Sequence, residues 1–499
     1  MRIVKTEELT PESISALSDA EKLWVYNALD CMVTLEVKNV LVAQLDNETR
    51  ATYEFEKALQ GVVLEMDLTG FKVDLHARDS VVSGYRKDLS KIEKNFLRLI
   101  TEGLEISPEF NWRSPAQLMT LFYEILAIPP IKKRGKVTID RSALEKLDAY
   151  FYAQPFANHI LAMRDLGKKI STLLTEIDPD GRLRTSFNIA GTETGRFSSS
   201  LSAFGTGGNT QNITDELRSI LVADEGMKLA YIDLAQAEAR AVGATIWNLF
   251  EDDKYLAATE SGDLHTTIAK MCWPNLPWTG DLKHDKEVAE QKFYREFSYR
   301  DTAKRLGHGS SYRGQPYTMA KNTKIPQKVV AEFQTAFFTA FPGIIKWHEW
   351  VAQELKKVGK LYTLTNRRRW FMGRRDDPKT VREAVAFGPQ GSIGDILNQG
   401  MLQLWRANIC QVLLQVHDAL VIQFPEEKEQ EVVPKALKLI EVPVELRGGR
   451  TLRIPTDAKT GWNWSKGGKA NPDGMMPFIP GKPDQRKRSP PKGLLDIIL

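Results

Sequence analysis

Apolar residues recur at helical spacing through much of the first 184 residues and again between 285 and 358. We expect 17–45 to form one amphipathic helix that packs as a small N-terminal piece, because Ser18 and Glu21 make a capping box at its start. A long, charged helix is expected over 76–102. These segments predict a chain that is mainly helical.

Two apolar runs have the character of strands, and each leads to an aspartate. Residues 227–232 end on Asp233. Residues 412–424 are apolar on both sides of His417 and Asp418, which is typical of a β-hairpin with a polar tip. Each of these runs therefore predicts a strand with an aspartate at its end.

The composition is that of a globular protein. A length of 499 residues suggests about three domains, with 42% hydrophobic and 26% charged residues. Three widely separated cysteines without CxxC or Cys/His spacing exclude a disulfide framework and a structural zinc site: Cys31, Cys272 and Cys410. Neither a signal segment nor an apolar run of roughly 18 residues occurs. We therefore expect a cytoplasmic protein without a membrane partner.

The net charge of +4 is concentrated at the C-terminus. Residues 466–499 contain seven Lys and Arg against three Asp, and the rest of the chain is balanced. Bulk charge therefore does not indicate a nucleic-acid partner. This segment is rich in Pro, Gly and Lys, and we expect it to be disordered. Its apolar end, 494–499, either docks on a partner protein or has no partner.

Asp233 and Asp418 are the first candidates for chemistry. Either residue alone has an ordinary explanation as a helix N-cap or a turn residue. Presented together by neighbouring strands, the two carboxylates could hold two Mg²⁺ ions about 4 Å apart, the arrangement used in phosphoryl transfer. This hypothesis requires a triphosphate site nearby.

A candidate for that site lies between 300 and 312. Four side chains recur every fourth residue and therefore share one helical face: Arg300, Lys304, His308 and Tyr312. The two cations suit phosphate oxygens, and the two rings suit a sugar and a base. A solvated basic stripe is the alternative. No GxxxxGK[ST] motif is present, which excludes an ATPase phosphate loop.

Together these segments resemble the family-A DNA polymerases, the group of bacterial DNA polymerase I and many bacteriophage replicative enzymes. Residues 233–240 are similar to the family's first palm motif, 300–312 to its finger-helix motif and 415–418 to its third motif. Residues 111–118 are similar to its thumb-tip signature. The resemblance covers about residues 51–465, with the motifs in the family's order, and a bacteriophage or viral type is expected.

The resemblance implies roles for individual residues. Asp233 and Asp418 are the implied catalytic residues and metal ligands, and Glu238 stands where the family screens against a ribose 2′-OH. The implied dNTP-binding residues are Gln236, Glu238, His265, Arg300, Lys304, His308 and Tyr312. The implied DNA-binding residues are Arg196, Asn209, Gln211, Arg382, Gln390 and His417.

The resemblance also implies the α+β fold class, with a right-hand architecture of antiparallel palm sheet, helical fingers and helical thumb. It implies a sliding clamp or another replication partner as the candidate partner of 494–499, and the cytoplasm of bacteria or of a virus-infected host as the location. The implied boundaries are 1–50 for the remnant end of an exonuclease-like domain, 51–75 for the palm entry, 76–184 for the thumb, 185–255 for the palm, 256–398 for the fingers, 399–465 for the palm again and 466–499 for the tail.

The implied function is template-directed addition of dNTPs to a primer 3′-OH, in DNA replication or repair. The implied cofactors are two Mg²⁺ ions, for which Mn²⁺ is expected to substitute. Arg300 and Lys304 would offset charge on the leaving pyrophosphate. Arg196, Gln211 and Gln390 would contact minor-groove acceptors that all correct base pairs share, so the protein tests shape rather than sequence.

Two positions depart from the family's pattern. Ala419 stands where a Glu usually follows the third-motif Asp, and we expect activity with altered metal tolerance. His308 replaces the usual Phe or Tyr, and Gly307 replaces the usual Asn before it. The imidazole leaves discrimination against dideoxynucleotides open, because it packs on a sugar differently and can form hydrogen bonds.

The N-terminus predicts synthesis without 3′–5′ proofreading. Residues 24–30 are similar to the last motif of the family's exonuclease, but its first motif, Asp-x-Glu, belongs over a hundred residues upstream. Asp19 and Glu21 have the right letters and are interpreted as part of the capping box. A split gene with a separate exonuclease subunit, a truncation and a lineage without proofreading all stay open.

Two other functions are carried as alternatives. A polymerase-shaped DNA-binding or replisome scaffold without turnover is consistent with Ala419, and a nuclease would use the N-terminal helix around Asp30. Five arginines are candidates for phosphate contacts, with a solvated face as the alternative: Arg367, Arg368, Arg369, Arg374 and Arg375.

Overall fold

The computed structural model describes residues 10–489, without the side chains of 215–217. Its contacts divide the chain into two compact units. Met1–Leu59 and Asp263–Ser392 form the first unit, and Gln60–Gly262 and Ile393–Leu499 form the second. Within the described residues, no helix combines the length and the apolar character needed to span a bilayer.

Most of the described chain is helical, as expected, and α4 covers the helix predicted over 76–102. The helices of the described residues are α1 Pro11–Ser15, α2 Asp19–Ala43, α3 Asn47–Thr69, α4 Leu75–Leu104, α5 Pro115–Met119, α6 Arg141–Lys146, α7 Gln154–Leu173, α8 Ala237–Phe250, α9 Lys254–Glu260, α10 Leu264–Cys272, α11 Leu282–Ala289, α12 Tyr299–Ser311, α13 Pro316–Thr323, α14 Gln327–Ala340, α15 Pro342–Lys357, α16 Pro378–Ala407 and α17 Glu429–Ile440.

The strands form one five-stranded sheet and several small ones, so the prediction of a fold that mixes helices with sheet is confirmed. The strands of the described residues are β1 Phe71–Val73, β2 Lys132–Lys133, β3 Lys136–Val137, β4 Arg182–Leu183, β5 Ser186–Asn188, β6 Ser198–Ser200, β7 Leu221–Val222, β8 Met227–Leu234, β9 Lys292–Tyr294, β10 Phe297–Ser298, β11 Lys360–Tyr362, β12 Arg368–Trp370, β13 Gln411–Val416, β14 Ala419–Pro425, β15 Val444–Glu445, β16 Thr451–Leu452, β17 Thr456–Gly461 and β18 Met476–Pro477.

The five-stranded sheet belongs to the second unit and has the order β13, β14, β8, β17, β18. All its neighbouring strands are antiparallel. The hairpin predicted at 412–424 is confirmed as β13 and β14, and most of its side chains are buried whichever face they point to. Burial on both faces explains the continuous apolar run, because a strand with one solvated face alternates instead. Helix α17 packs against β8, β14 and β17.

A separate helical core in the second unit lies between α4 and α7. Asp74 caps α4, because its carboxylate accepts a hydrogen bond from the Ala77 amide at 2.9 Å. Phe96, Ile100 and Phe122 are fully buried in this core. This core is formed by residues that the sequence assigns to the thumb.

In the first unit, α12 packs against α10 and α14. Gly307 allows the close approach, because a Cβ at this position would lie 3.3 Å from the Ile268 side chain. The structure therefore gives the Gly307 departure a packing reason. Phe337, Phe341 and Trp347 fill the neighbouring core.

The N-terminal helix α2 differs from its prediction. The capping box is confirmed, since the Glu21 amide donates to Ser18 Oγ and the Glu21 carboxylate accepts from the Ser18 amide. However, no residue of α2 is buried among the described residues, and Leu23, Trp24 and Tyr26 are all more than half exposed. The expectation of an amphipathic, packed helix is wrong, because the apolar residues lie all round the helix instead of forming one stripe.

The expectation of a disordered tail is wrong for 466–489. Strand β18 pairs with β17 at the edge of the five-stranded sheet, and Met475 is buried. The Arg486 guanidinium donates to the backbone carbonyls of Pro472, Gly474 and Thr460. Pro and Gly are compatible with this irregular backbone, because side-chain donors satisfy its carbonyl groups.

Lys228, near the start of β8, also holds the segment 466–489 in place. Its buried ammonium lies 2.9 Å from the carboxylates of both Glu429 and Asp484, and 4.7 Å from the centre of the Trp462 ring. Asp484 therefore ties the C-terminal segment to the sheet. Residues 494–499, the predicted docking peptide, lie outside the described residues.

Candidate functional site

The two aspartates of the predicted metal site lie at the same end of the five-stranded sheet. Asp233 is the penultimate residue of β8 and is paired with Ala419 on β14. Asp418 precedes Ala419 in the two-residue turn of the hairpin, and its carbonyl accepts a hydrogen bond from the Leu234 amide at 3.1 Å. The backbone thus holds the two residues beside each other.

The turn that carries Asp418 has an unusual backbone. His417 has a φ of 53°, in the left-handed region that non-glycine residues rarely occupy. Gln236, which precedes α8, has a φ of 54°. Such conformations persist only where the surrounding structure enforces them, and they are frequent at functional sites.

A third carboxylate, which sequence reasoning missed, flanks Asp233. Asp457 on β17 is paired with Asp233 from the other side, so both side chains point to the same face of the sheet. Only the strand register reveals this neighbour, because nothing in its local sequence marks it. Within the described residues, however, no group of three or more His, Cys, Asp or Glu side chains is arranged to hold a metal ion.

An arginine lies between the carboxylates of this site. Arg196 Nη2 is 3.0 Å from Asp418 Oδ1 and 2.8 Å from Glu238 Oε1. Glu238 lies in the first turn of α8, where the helix dipole favours a negative charge. The structure therefore brings together three residues that lie far apart in the sequence.

A buried polar network supports this group. Gln415 donates to the Asn398 side chain, and Asn398 donates to the Gly195 carbonyl at 3.3 Å. Gln211 donates to the Gln415 carbonyl at 3.1 Å. Asn398 and Gln415 are almost fully buried, at 1% and 3% exposure. No local signal identifies Asn398, because a second amide, Gln399, follows it directly and only the fold decides which of the two is buried.

Asn209 and Gln211 share one hydroxyl partner. Ser199 Oγ lies 2.8 Å from Asn209 Oδ1 and 3.1 Å from Gln211 Oε1. Asn209 is exposed, and Gln211 is half-buried. The buried Oε1 of Gln236 has no hydrogen-bond partner among the described residues.

In the first unit, the predicted basic face is present. Arg300, Lys304 and His308 lie at intervals of four residues in α12, and Tyr312 follows as its C-cap. Lys304 and His308 are exposed, whereas the opposite side of α12 is buried. The rings of His308 and Tyr312 meet edge to face at 5.0 Å.

Arg300 is already paired inside the protein. Its Nε and Nη2 donate to the two carboxylate oxygens of Asp263, at 2.8 and 3.2 Å. Asp263 also caps α10, accepting from the amides of His265 and Thr266. Burial alone would raise the pKa of Asp263, but these hydrogen bonds outweigh it and lower the pKa to about 2.

His265 lies beside this pair. Burial, and then the positive charge of Arg300, lowers the pKa of His265 to about 4. The imidazole is therefore neutral at pH 7. Its buried Nδ1 has no hydrogen-bond partner among the described residues. Arg382, exposed, and Gln390, half-buried, also belong to the first unit, on α16.

Of the five candidate arginines, Arg367, Arg368 and Arg369 lie against partners inside the protein, whereas the side chain of Arg374 is 83% exposed. Arg367 pairs with Glu56 at 2.6 Å, and Arg368 pairs with Asp46 at 2.6 Å. The guanidinium of Arg369 stacks on the Phe371 ring at 4.3 Å. Carboxylates from a distant part of the sequence therefore neutralise Arg367 and Arg368.

The residues at the end of the five-stranded sheet fit divalent cations in their chemistry. Asp233 and Asp418 offer carboxylate oxygens, the ligands that Mg²⁺ prefers. The guanidinium of Arg196 lies against Asp418, which shows that this position stabilises a positive charge. The donor chemistry of these two aspartates therefore fits a divalent cation.

Comparisons with known proteins identify relatives of this chain. The chain is 31% identical over 434 residues to DNA polymerase I of Geobacillus stearothermophilus, covering 82% of this chain and 45% of that protein. It is 27% identical over 445 residues to the thermostable DNA polymerase I of Thermus aquaticus, covering 84% and 49%. The chain thus spans about half the length of these curated relatives.

The fold has a solved counterpart. It is similar to the POL domain of Pol1 from M. smegmatis in complex with DNA primer-template and dNTP, with a TM-score of 0.67 and 24% identity over 82% of this chain and 70% of that one. The sequence model described as DNA polymerase family A matches residues 79–466, more than half of the chain. The chain therefore belongs to DNA polymerase family A.

Proposed function

We propose that this chain is a DNA-directed DNA polymerase that adds dNTPs to a primer 3′-OH opposite a template strand. One observation carries the proposal. The pairing of Asp233 with Ala419 and the hydrogen bond from Leu234 to Asp418 hold both motif aspartates at one end of the sheet. Family membership supports the same activity.

Asp233 and Asp418 would hold two divalent ions, Mg²⁺ with Mn²⁺ as a substitute. Bound there, the ions would make the primer hydroxyl more acidic and offset charge on the leaving pyrophosphate. Ala419, at the position where the family usually has Glu, is fully buried opposite Asp233. The missing carboxylate supports the expectation of altered metal tolerance.

The chain's own residues would orient the substrates. Arg300 and Lys304 would attract the triphosphate by their positive charge. Neutral His265 would donate a hydrogen bond to the triphosphate without adding a charge of its own. Glu238 excludes a ribose 2′-OH by its bulk. Arg196 and Gln211 donate to minor-groove acceptors that all correct base pairs share.

In this proposal the five-stranded sheet is the palm, α10 to α14 belong to the fingers, and α4 with α7 forms the thumb. An open cleft of about 800 Å³ runs along α4. Its cationic lining residues are Arg86, Lys87, Lys91 and Lys94. These side chains suit the phosphates of the upstream duplex, which a protein can contact without reading sequence.

We further propose that this chain synthesises DNA without proofreading. A separate exonuclease subunit is the proposed partner, and the cytoplasm is the proposed location. Glu21 supports this interpretation, because its carboxylate caps α2 instead of facing a metal ligand set. The phage-type origin and the clamp partner stay predictions.

The test is extension of a 5′-labelled primer with Mg²⁺ and dNTPs. We expect elongation by the wild type and by Asp253→Asn, an exposed N-cap where Asn serves equally well, but not by Asp418→Asn. The primer should stay intact in a lane without dNTPs. Duplex binding without elongation would favour the scaffold, and a shortened primer would favour the nuclease.

A further inference from the structure

The contact between Arg196 and Asp418 has the geometry of an ion pair in which another cation could replace the guanidinium. A single nitrogen, Nη2, is shared between Asp418 and Glu238. The buried Nε of the same guanidinium has no hydrogen-bond partner among the described residues. The guanidinium is therefore held by charge but is not fully satisfied in its hydrogen bonds.

We propose that Arg196 occupies a cation position at Asp418 in the DNA-free protein and leaves it when primer-template binds, so that DNA binding and metal binding are coupled. This inference rests on the proposed function of the same site. It adds that primer-template, by drawing Arg196 away, makes Asp418 available as a metal ligand.

The physical reason is competition between positive charges. A divalent ion on Asp418 Oδ1 would lie within a few ångströms of the Arg196 guanidinium, and like charges at that distance repel. Bound DNA can relieve this repulsion, because minor-groove acceptors can take the Arg196 donors that otherwise face Asp418.

Coupling of this kind is reciprocal. If primer-template raises the affinity for the metal, the metal raises the affinity for primer-template by the same factor. Couplings between binding sites in proteins are typically about 5- to 150-fold. A site at which Arg196 merely packs would show no such factor.

The experiment measures Mn²⁺ binding by electron paramagnetic resonance, without nucleotide, with and without primer-template. Binding to Asp418→Asn is subtracted, which removes ions held by DNA phosphates. We expect primer-template to tighten Mn²⁺ binding by wild type within the 5- to 150-fold range. Arg196→Gln without DNA should bind Mn²⁺ as tightly as wild type with DNA, and DNA should add little.

Arg450→Gln is the matched control. Arg450 lies in the same unit, is exposed to the same 27% as Arg196, and pairs with Glu260 at 2.7 Å. It should behave as wild type. Equal Mn²⁺ affinity of Arg196→Gln and wild type in the absence of DNA would overturn the inference.

A reciprocal measurement on the wild type covers the case in which Arg196→Gln does not fold. Mn²⁺ should tighten primer-template binding by the same factor, and an unchanged Kd would overturn the coupling. Loss of any Asp418-dependent Mn²⁺ site even with DNA would contradict the proposed function. An intact site and normal primer extension without coupling would contradict this inference alone.

Discussion

The protein contains two arginine–aspartate pairs in its candidate machinery, and they differ in how completely they are bonded. Arg300 and Asp263 form two parallel hydrogen bonds, and Asp263 also caps α10. Arg196 reaches Asp418 through one nitrogen that it shares with Glu238. The same two residue types therefore make a scaffold in the first unit and an exchangeable contact in the second. Satisfied hydrogen bonds, rather than charge alone, decide between the two roles.

The largest expected difference is in activity. Asp418→Asn should lower the single-turnover rate of primer extension by about 10³-fold, because a neutral amide is a poor ligand for a divalent cation. Asp263→Asn keeps an N-cap acceptor and should cost less than about tenfold. Similar losses in both variants would mean that Asp263 takes part in chemistry.

Stability should show the opposite order. Asp263→Ala removes a helix cap and a bidentate ion pair, and it should lower the free energy of unfolding by about 2–3 kcal/mol. Asp418→Ala should change it by less than about 1 kcal/mol. Denaturant titrations of both variants measure these values, and an equal loss would remove the distinction between scaffold and contact.

The next largest effect is the loss, at low pH, of the contribution of Asp263 to the free energy of unfolding. The folded-state pKa of Asp263, about 2, lies below its ordinary value of 3.8, so its contribution is present above pH 4 and is lost as the pH falls towards 2. The expected loss is about 2 kcal/mol. It should appear in wild type and be absent from Asp263→Asn. Unfolding curves at several pH values between 5 and 2 measure it, and parallel profiles would contradict the assignment.

The smallest effect concerns Arg196 itself. Arg196→Gln should leave the free energy of unfolding within about 0.5 kcal/mol of wild type, since the lost contact is partly exposed and incompletely bonded. Arg300→Gln is the matched comparison and should cost about 2 kcal/mol. A large loss in Arg196→Gln would make it a structural residue and weaken its proposed role as an exchangeable cation.

The sequence allowed good prediction where the signal is local. The strand that ends at Asp233, the hairpin around Asp418, the stripe on α12 and the Ser18 capping box are all written in short-range patterns. These patterns could be interpreted because each element contains its own spacing of apolar residues and its own cap or turn residues. They also located the chain regions from which the candidate site is formed.

Prediction failed where the outcome depends on distant partners. The arginines near 368 are paired with carboxylates more than 300 residues away, and Asp457 becomes a neighbour of Asp233 only through strand register. Asn398 and Gln415 likewise bond to residues about 200 positions away, Gly195 and Gln211. A single sequence does not show these pairings, because nothing in the local sequence distinguishes the paired residues from solvated or core residues.

The contacts that Asp484 and Arg486 make in the C-terminal segment have a practical consequence for anyone shortening this chain. The family match ends at residue 466, which makes that position an inviting place for a stop codon. Cutting there would strip β18 from the sheet and leave the buried Lys228 without its Asp484 partner. Since β8 begins beside Lys228 and ends beside Asp233, the shortened chain would carry its defect on the strand that leads to the candidate site.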